Sequence, residues 1–186
     1  MAGRSELPEL VEAARQGDAQ AWEALYRRAY PRLLAYARRR MATLDEASDA
    51  VGEAVTRAVA GIDRYRGEGA GFDAWLYGIL RHVVLDARNG ARREGPGAVP
   101  DEADILAAPP GDGVLDVEEA GHLRAAFSRL SDDDRELLEL RVVAGLSSDE
   151  VAEVLGRKAG AVRMAQSRAL TRLRRLLEEE GCIDVA

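Results

Sequence analysis

Apolar residues recur at spacings of three and four along most of this chain, the period of helices with one buried face. Residues 5–16 predict a first helix, with Ser5 as cap and Leu7, Leu10, Val11 and Ala14 on one side. Gly17–Asp18 breaks it, and Asp18 is placed to cap a second helix carrying Trp22, Leu25, Tyr26, Leu33, Leu34 and Tyr36. Pro31 interrupts that pattern and predicts a kink or a split. Thr43 followed by Glu46 reads as a capping box opening a third helix, whose buried side is Ala50, Ala54, Val55, Ala58 and Ile62. Phe72 to Asn89 is the most regular stretch. Phe72, Trp75, Leu76, Ile79, Leu80 and Val83 share one face, and Tyr77, Arg81, Val84 and Arg88 share the opposite one. Asp86 falls toward the apolar side, where an unpaired carboxylate is costly, so an arginine or helix-end partner is expected.

The periodicity stops across residues 94–120. Four of the six prolines (Pro96, Pro100, Pro109, Pro110) and eight acids lie there without a lysine or arginine, a composition that cannot fold by itself. The chain therefore divides into a helical domain over 1–95, an acidic Pro/Gly-rich linker over 96–115, and a second helical domain over 116–186. The linker reads either as a solubilising spacer or as a polyanion occupying a nucleic-acid channel of a partner. Leu123, Ala126, Phe127 and Leu130 open the second domain, and Ser131 caps a helix with Leu137, Leu138, Leu140 and Val142 available for packing. The fold class is all-α.

After Gly145, Ser147 and Glu150 form another capping box, Val151, Ala152, Val154 and Leu155 make a short apolar face, and Gly156 supplies a left-handed stop. The next helix puts Val162, Ala165, Ala169, Leu173 and Leu176 on one side and Arg163, Met164, Ser167, Arg168, Thr171, Arg174 and Arg175 on the other. Short helix, glycine turn and longer basic helix is the helix-turn-helix layout. From Gly156 to Arg175 there are seven basic residues and no acid, so fold signal and one-signed charge coincide and favour DNA binding over a solvated hairpin.

The net charge of −7 complicates this, because phosphate contacts carry much of the affinity of DNA-binding proteins. An acidic chain with local basic patches fits a protein working inside a larger complex. Cys182 is the only cysteine, and His82 and His122 are isolated, so neither a disulfide framework nor a metal site is expected. No nucleophile–base pair stands out; no enzyme activity, metal or cofactor is expected. Gly67, Gly69 and Gly71 alternate in RYRGEGAG, but no P-loop lysine, serine or threonine follows and no strand precedes them. No apolar run reaches membrane-spanning length and no signal-peptide pattern is present, so no membrane insertion and a cytoplasmic location are expected.

Two helical domains, an acidic linker and a terminal helix-turn-helix resemble a bacterial RNA polymerase sigma factor of the extracytoplasmic function group, which is sigma-70-like. ASDAVGEAVTRAVAGIDRYRG (47–67) resembles the family's core-binding helix, and FDAWLYGILRHVVLDARNGARR (72–93) its promoter-melting helix, which reads the −10 element. LSDDDRELLELRVVAGLSSDEVAEVLGRKAGAVR (130–163) resembles its −35-binding domain. The resemblance implies a non-enzymatic protein that binds core RNA polymerase and promoter DNA, contacting the β′ clamp helices through Asp49 and Glu53 and also the β flap. It implies that RGEGAG lies near the flipped −10 base, with Arg66, Tyr77, Arg81, Arg88, Arg92 and Arg93 close to the strand. Arg157, Lys158, Arg163, Met164, Ser167 and Arg168 would meet the −35 duplex. It further implies a linker threading the polymerase cleft, and an anti-sigma factor that hides both DNA surfaces.

The chain departs from the family at four places. Gly52 stands where glutamine is usual, Val55 where an aromatic is, and Ala165–Gln166 where a basic residue and leucine are. For Gln166, reading adenine and packing both stay open. Two other classes compete with the sigma reading: a stand-alone helix-turn-helix regulator, which needs no module at 18–93, and a sigma-like decoy that binds polymerase without starting transcription.

Overall fold

The computed structural model describes residues 6–67, 71–94 and 117–179, without the side chains of 91–94 and 117–119. Ser5, the centre of the glycine loop, the linker over 96–115 and Cys182 lie outside the described residues. Most of the described residues are helical and none forms a strand, and the chain divides into two compact units between Pro100 and Asp101.

The first unit contains α1 (Leu7–Arg15), α2 (Ala19–Arg38), α3 (Leu44–Gly61) and α4 (Phe72–Glu94), with a single 3-10 turn at Ile62–Arg64. Asp18 caps α2 as expected, its Oδ1 accepting from the amides of Gln20 at 2.8 Å and Ala21 at 3.3 Å. Helix α2 runs through Pro31 without splitting, which corrects the split among the two alternatives. A helix-interior proline costs about 3 kcal/mol. Here its ring is exposed, while Ala21, Leu25, Ala29, Leu33, Tyr36 and Ala37 are buried along the other side, and that burial outweighs one missing amide bond.

Thr43 Oγ1 accepts from the Glu46 amide at 3.2 Å, and the Glu46 carboxylate returns to the amide of Ala42 at 2.9 Å, one residue before the cap. The stripe that α3 buries is Ala47, Ala50, Val51, Ala54 and Ala58, continuing into Ile62. Its small side chains let α2 and α4 pack closely against it. Val55 falls at the margin and is half-buried, while Val51 takes the central position. Because α4 packs against both α2 and α3, it buries Tyr77 and Val84 as well as Phe72, Leu76, Leu80 and Val83. Asp86 has its arginine partner, Arg57 Nη1 at 3.8 Å, yet is 72% exposed and so bears no desolvation cost.

The second unit contains α5 (Val117–Ser128), α6 (Asp132–Leu138), a π-helical turn (Glu139–Val143), α7 (Ser148–Leu155) and α8 (Ala159–Glu179). Ser131 Oγ caps α6 through the Asp134 amide at 3.2 Å. Leu137, Leu138 and Leu140 are buried, but Val142 is 69% exposed rather than packed. The π turn inserts an extra residue per turn and rotates Val142 outward. The capping box of α7 is complete: Glu150 accepts from the Ser147 amide at 2.7 Å, and Ser147 Oγ from the Glu150 amide at 3.2 Å. Gly156 ends α7 at φ 63°, ψ 35°, a left-handed conformation in which a side chain is strained.

Gly52 sits in the middle of α3 with an exposed surface, and a Cβ built there meets nothing within 4 Å. Gly52→Ala should therefore stabilise the first unit by about 1 kcal/mol and raise its melting temperature by roughly 4–8 °C. Thermal denaturation followed by circular dichroism checks this; a lowered melting temperature would show that the glycine is structurally required.

Candidate nucleic-acid interface

The orientation of α8 follows from its core contacts. Val162, Ala169 and Leu176, seven residues apart, are buried, and Ala165 and Leu173 are half-buried beside them. Arg163, Met164, Ser167, Arg168, Thr171, Arg174 and Arg175 are thereby exposed, as the sequence pattern predicts. Met164 is 65% exposed, an unusual position for methionine on a free surface.

The cations of this surface are not equivalent. Arg157 Nη2 donates to Asp133 Oδ2 at 2.6 Å, and Arg172 Nη1 to Asp134 Oδ2 at 2.5 Å. Toward the end of α8, Arg174 pairs with Glu178 at 3.1 Å and Arg175 with Glu179 at 3.7 Å. Lys158, Arg163 and Arg168 have no ion pair among the described residues. Unneutralised charge is thus concentrated in the first turns of α8, the part of a helix-turn-helix recognition helix that approaches base edges.

Gln166 has a partner inside its own domain. It is half-buried, and its Oε1 accepts from Arg141 Nε at 2.9 Å, while Arg141 Nη1 donates to the Leu146 carbonyl. One guanidinium therefore ties the π turn, the start of the helix-turn-helix and α8 together. The planar donor fork of arginine suits this three-way role, and lysine would not replace it. Arg141 was missed in the sequence because its partners lie 5 and 25 residues away.

In the first unit, an aromatic cluster anchors the glycine-rich loop. Tyr65 lies 5.7 Å from Phe72 and 5.3 Å from Trp75 between ring centroids, and Trp22 is 6.4 Å from Phe72. Arg15 donates to the Tyr65 carbonyl from the other side. Arg28 grips Asp73 in a fork of 2.7 and 2.9 Å, fixing the start of α4 against α2. A cleft of about 390 Å³ opens between α1 and the loop, with Leu7, Val11, Arg15, Tyr65, Arg66 and Phe72 in its walls. Arg66 is exposed at its edge, and Arg81 and Arg88 are half-buried on a shared face of α4. The side chains of Arg92 and Arg93 lie outside the described residues.

Tyr77 requires a correction. It is 3% exposed, not on an outer face, and packs edge-on against Tyr36 at 5.6 Å and 81°. Its hydroxyl has no hydrogen-bond partner among the described residues. Burial pushes the phenol well above the ordinary tyrosine range, against the opposing pull of Arg32. Such a residue can shape the surface above it but does not present its ring to a strand.

On α3, Asp49 and Glu53 are both exposed. Glu53 Oε1 accepts from Arg57 Nε at 2.7 Å, whereas Asp49 has no ion pair among the described residues. Leu44 and Val59, 52% and 46% exposed, add apolar surface to this acidic helix that charge patterning alone overlooked. Among the described residues, no cluster of potential metal ligands occurs and no helix is long and apolar enough to cross a membrane.

Residues 25–94 match the family model described as Sigma-70 region 2, and residues 121–173 match Sigma-70, region 4. The chain is 34% identical over 181 residues to the ECF RNA polymerase sigma factor ShbA of Streptomyces griseus, covering 91% of this chain and 94% of that relative. It is also 34% identical over 174 residues to the ECF RNA polymerase sigma factor SigD of Mycobacterium tuberculosis, covering 90% and 82%. Among solved structures, the sigma factor RpoE of Bartonella quintana, crystallised with the anti-sigma factor NepR, aligns with a TM-score of 0.65 at 26% identity. That alignment covers 86% of this chain and 98% of the other.

Tyr77→Phe removes a buried hydroxyl that has no hydrogen-bond partner among the described residues. Stability should change by less than about 1 kcal/mol, and DNA binding should be unaffected. Parallel thermal melts and titrations with DNA check both; lost DNA binding at unchanged stability would return Tyr77 to the interface.

Proposed function

The chain belongs to the extracytoplasmic function sigma factors of the sigma-70 family, proteins that direct transcription initiation by RNA polymerase, and on that premise we propose how its residues divide the work. Residues 116–186 meet the −35 duplex through the first turns of α8. Lys158, Arg163 and Arg168 neutralise phosphates or read guanine edges, Ser167 adds a short polar contact, and Met164 packs on a thymine methyl. Arg157 joins them from the preceding turn. The observation that carries this reading is the concentration of exposed, unpaired cations at that end of α8, while Arg172, Arg174 and Arg175 are paired with acids.

Residues 1–95 bind core polymerase and the −10 element. Asp49 is the free carboxylate offered to a basic surface on the β′ clamp helices, with Leu44 and Val59 supplying apolar contact. Glu53 takes part only by exchanging Arg57 for the partner, so its contribution is the smaller. The cleft beside Tyr65 and Arg66 accommodates an unstacked −10 base, which needs a pocket and nearby cations. Arg81, Arg88, Arg92 and Arg93 then follow the strand. The linker over 96–115 enters the polymerase cleft as a nucleic-acid-like polyanion, and residues of the second unit meet the β flap. The protein acts in the cytoplasm as a non-catalytic subunit. RpoE of Bartonella quintana forms a complex with an anti-sigma factor, and a partner of that kind is proposed here to cover both DNA surfaces.

Run-off transcription with bacterial core polymerase and pooled genomic promoter fragments tests this. Discrete transcripts should require the protein, and Arg163→Ala or Arg168→Ala should each lower promoter affinity by about 1–3 kcal/mol, roughly five- to 150-fold. Tight core binding without transcripts would mark a decoy. Duplex binding by the protein alone, with neither core binding nor transcripts, would leave a stand-alone regulator.

A further inference from the structure

Arg157 stands apart from the other cations of the DNA-facing surface because an acid of its own domain already holds it. Its backbone is fixed: the amide donates to the Ala152 carbonyl at 2.8 Å in the turn made by Gly156. Its guanidinium reaches across to Asp133, in the first turn of α6, at 2.6 Å. Both side chains are accessible, 38% exposed for Arg157 and 72% for Asp133. Accessible pairs of this kind contribute little to stability and exchange readily. The neighbouring pairs differ. Asp134, only 13% exposed, holds Arg172 from a largely covered position, and Asp132 is turned to Arg135 within its own helix.

We infer that Asp133 is an internal phosphate surrogate that sets the DNA affinity of the −35-binding surface by occupying Arg157. The inference rests on the proposed placement of α8 on DNA. A carboxylate and a phosphate oxygen offer the guanidinium the same acceptor geometry, so duplex binding at Arg157 is an exchange of one anion for another. The exchange adds little to affinity, because the Arg157–Asp133 couple carries no net charge to displace counterions from DNA. Free protein is thereby kept from non-specific duplex, while Lys158, Arg163 and Arg168 retain their full electrostatic effect. Asp133 is an affinity-setting residue; in the exchange it touches Arg157 and not the DNA.

The test is a salt titration of the full chain on a fluorescent 30-base-pair duplex of mixed sequence, because the phosphate term is independent of sequence. Asp133→Asn should tighten binding and steepen the dependence of log affinity on log salt by up to about 0.9, the value of one added phosphate neutralisation. Its advantage over the parent should shrink about threefold between 50 and 200 mM salt, as that slope requires. Asp132→Asn removes the same charge one residue away and should produce no comparable change. Asp133→Asn combined with Arg157→Ala should lose the gain. Equal tightening by Asp132→Asn, a gain that survives without Arg157, or weakened binding by a folded Asp133→Asn protein would each overturn the inference. Arg163→Ala and Arg168→Ala, run alongside, report separately on the surface itself. If neither weakens binding, the placement of α8 fails; if both do while Asp133→Asn has no effect, only the role of Asp133 fails.

Discussion

Burial of Val162, Ala169 and Leu176 along one line of α8 is the constraint on which the second unit depends. Seven residues are close to two helical turns, so three contacts define a nearly straight seam and thereby the rotation of a 21-residue helix. Once that seam is seated, the outward direction of Arg163, Ser167 and Arg168 is decided without any interaction of their own. Gly156 decides where the seam begins, since its left-handed turn lets α7 stop and the chain re-enter as α8 within three residues. Arg141 completes the definition by holding Gln166 and the Leu146 carbonyl, which restrains sliding of α8 along its seam.

The first unit solves the same problem with aromatics and a half-buried ion pair. A loop rich in glycine has no intrinsic reason to stay near one place. Tyr65, Phe72, Trp75 and Trp22 fasten both its ends to the core, and Arg28 with Asp73 fixes the point where α4 begins. The Asp73 side chain is 17% exposed and Arg28 32%, so this pair is shielded more than the surface pairs, and its forked geometry makes it directional. The aromatic contacts and the forked pair thus fix the described residues on both sides of the glycine-rich stretch, and Arg66 with them.

Much of this was legible in the sequence because it depends on local rules. The caps at Asp18, Thr43, Ser131 and Ser147, the left-handed Gly156, and the division of α8 into buried and exposed faces follow from spacings of three to seven residues. What could not be read depends on the number of neighbours an element acquires. Tyr77 lies opposite the obvious apolar face of α4, and only the presence of α2 on that side buries it. Val142 points outward because a π turn shifts the phase of its helix, a change that no periodicity assumes. Pro31 does not split its helix for a related reason: local propensity counts its lost amide bond but not the six buried residues that hold the helix together around it. Gln166 is the same lesson at the interface. Its place on the helix left its partners open, and an arginine 25 residues away supplies one that no local spacing predicts.

Charge shows most clearly why location matters more than total. A net charge of −7 argues against binding a polyanion, and seven basic residues without an acid from Gly156 to Arg175 argue for it. Both arguments treat charges as free. In the folded protein the acids of α6 and of the end of α8 neutralise Arg157, Arg172, Arg174 and Arg175, leaving Lys158, Arg163 and Arg168 as the unpaired cations of that stretch among the described residues. Three cations are a weak anchor in physiological salt, where each phosphate contact is worth only the counterions it releases. A surface built this way holds DNA poorly alone and well only when a second attachment raises the local concentration of duplex. Core RNA polymerase, which proteins of this family bind, is an attachment of that kind. The acidic chain and its small basic face are therefore compatible, because pairing confines the unneutralised cations to one short stretch.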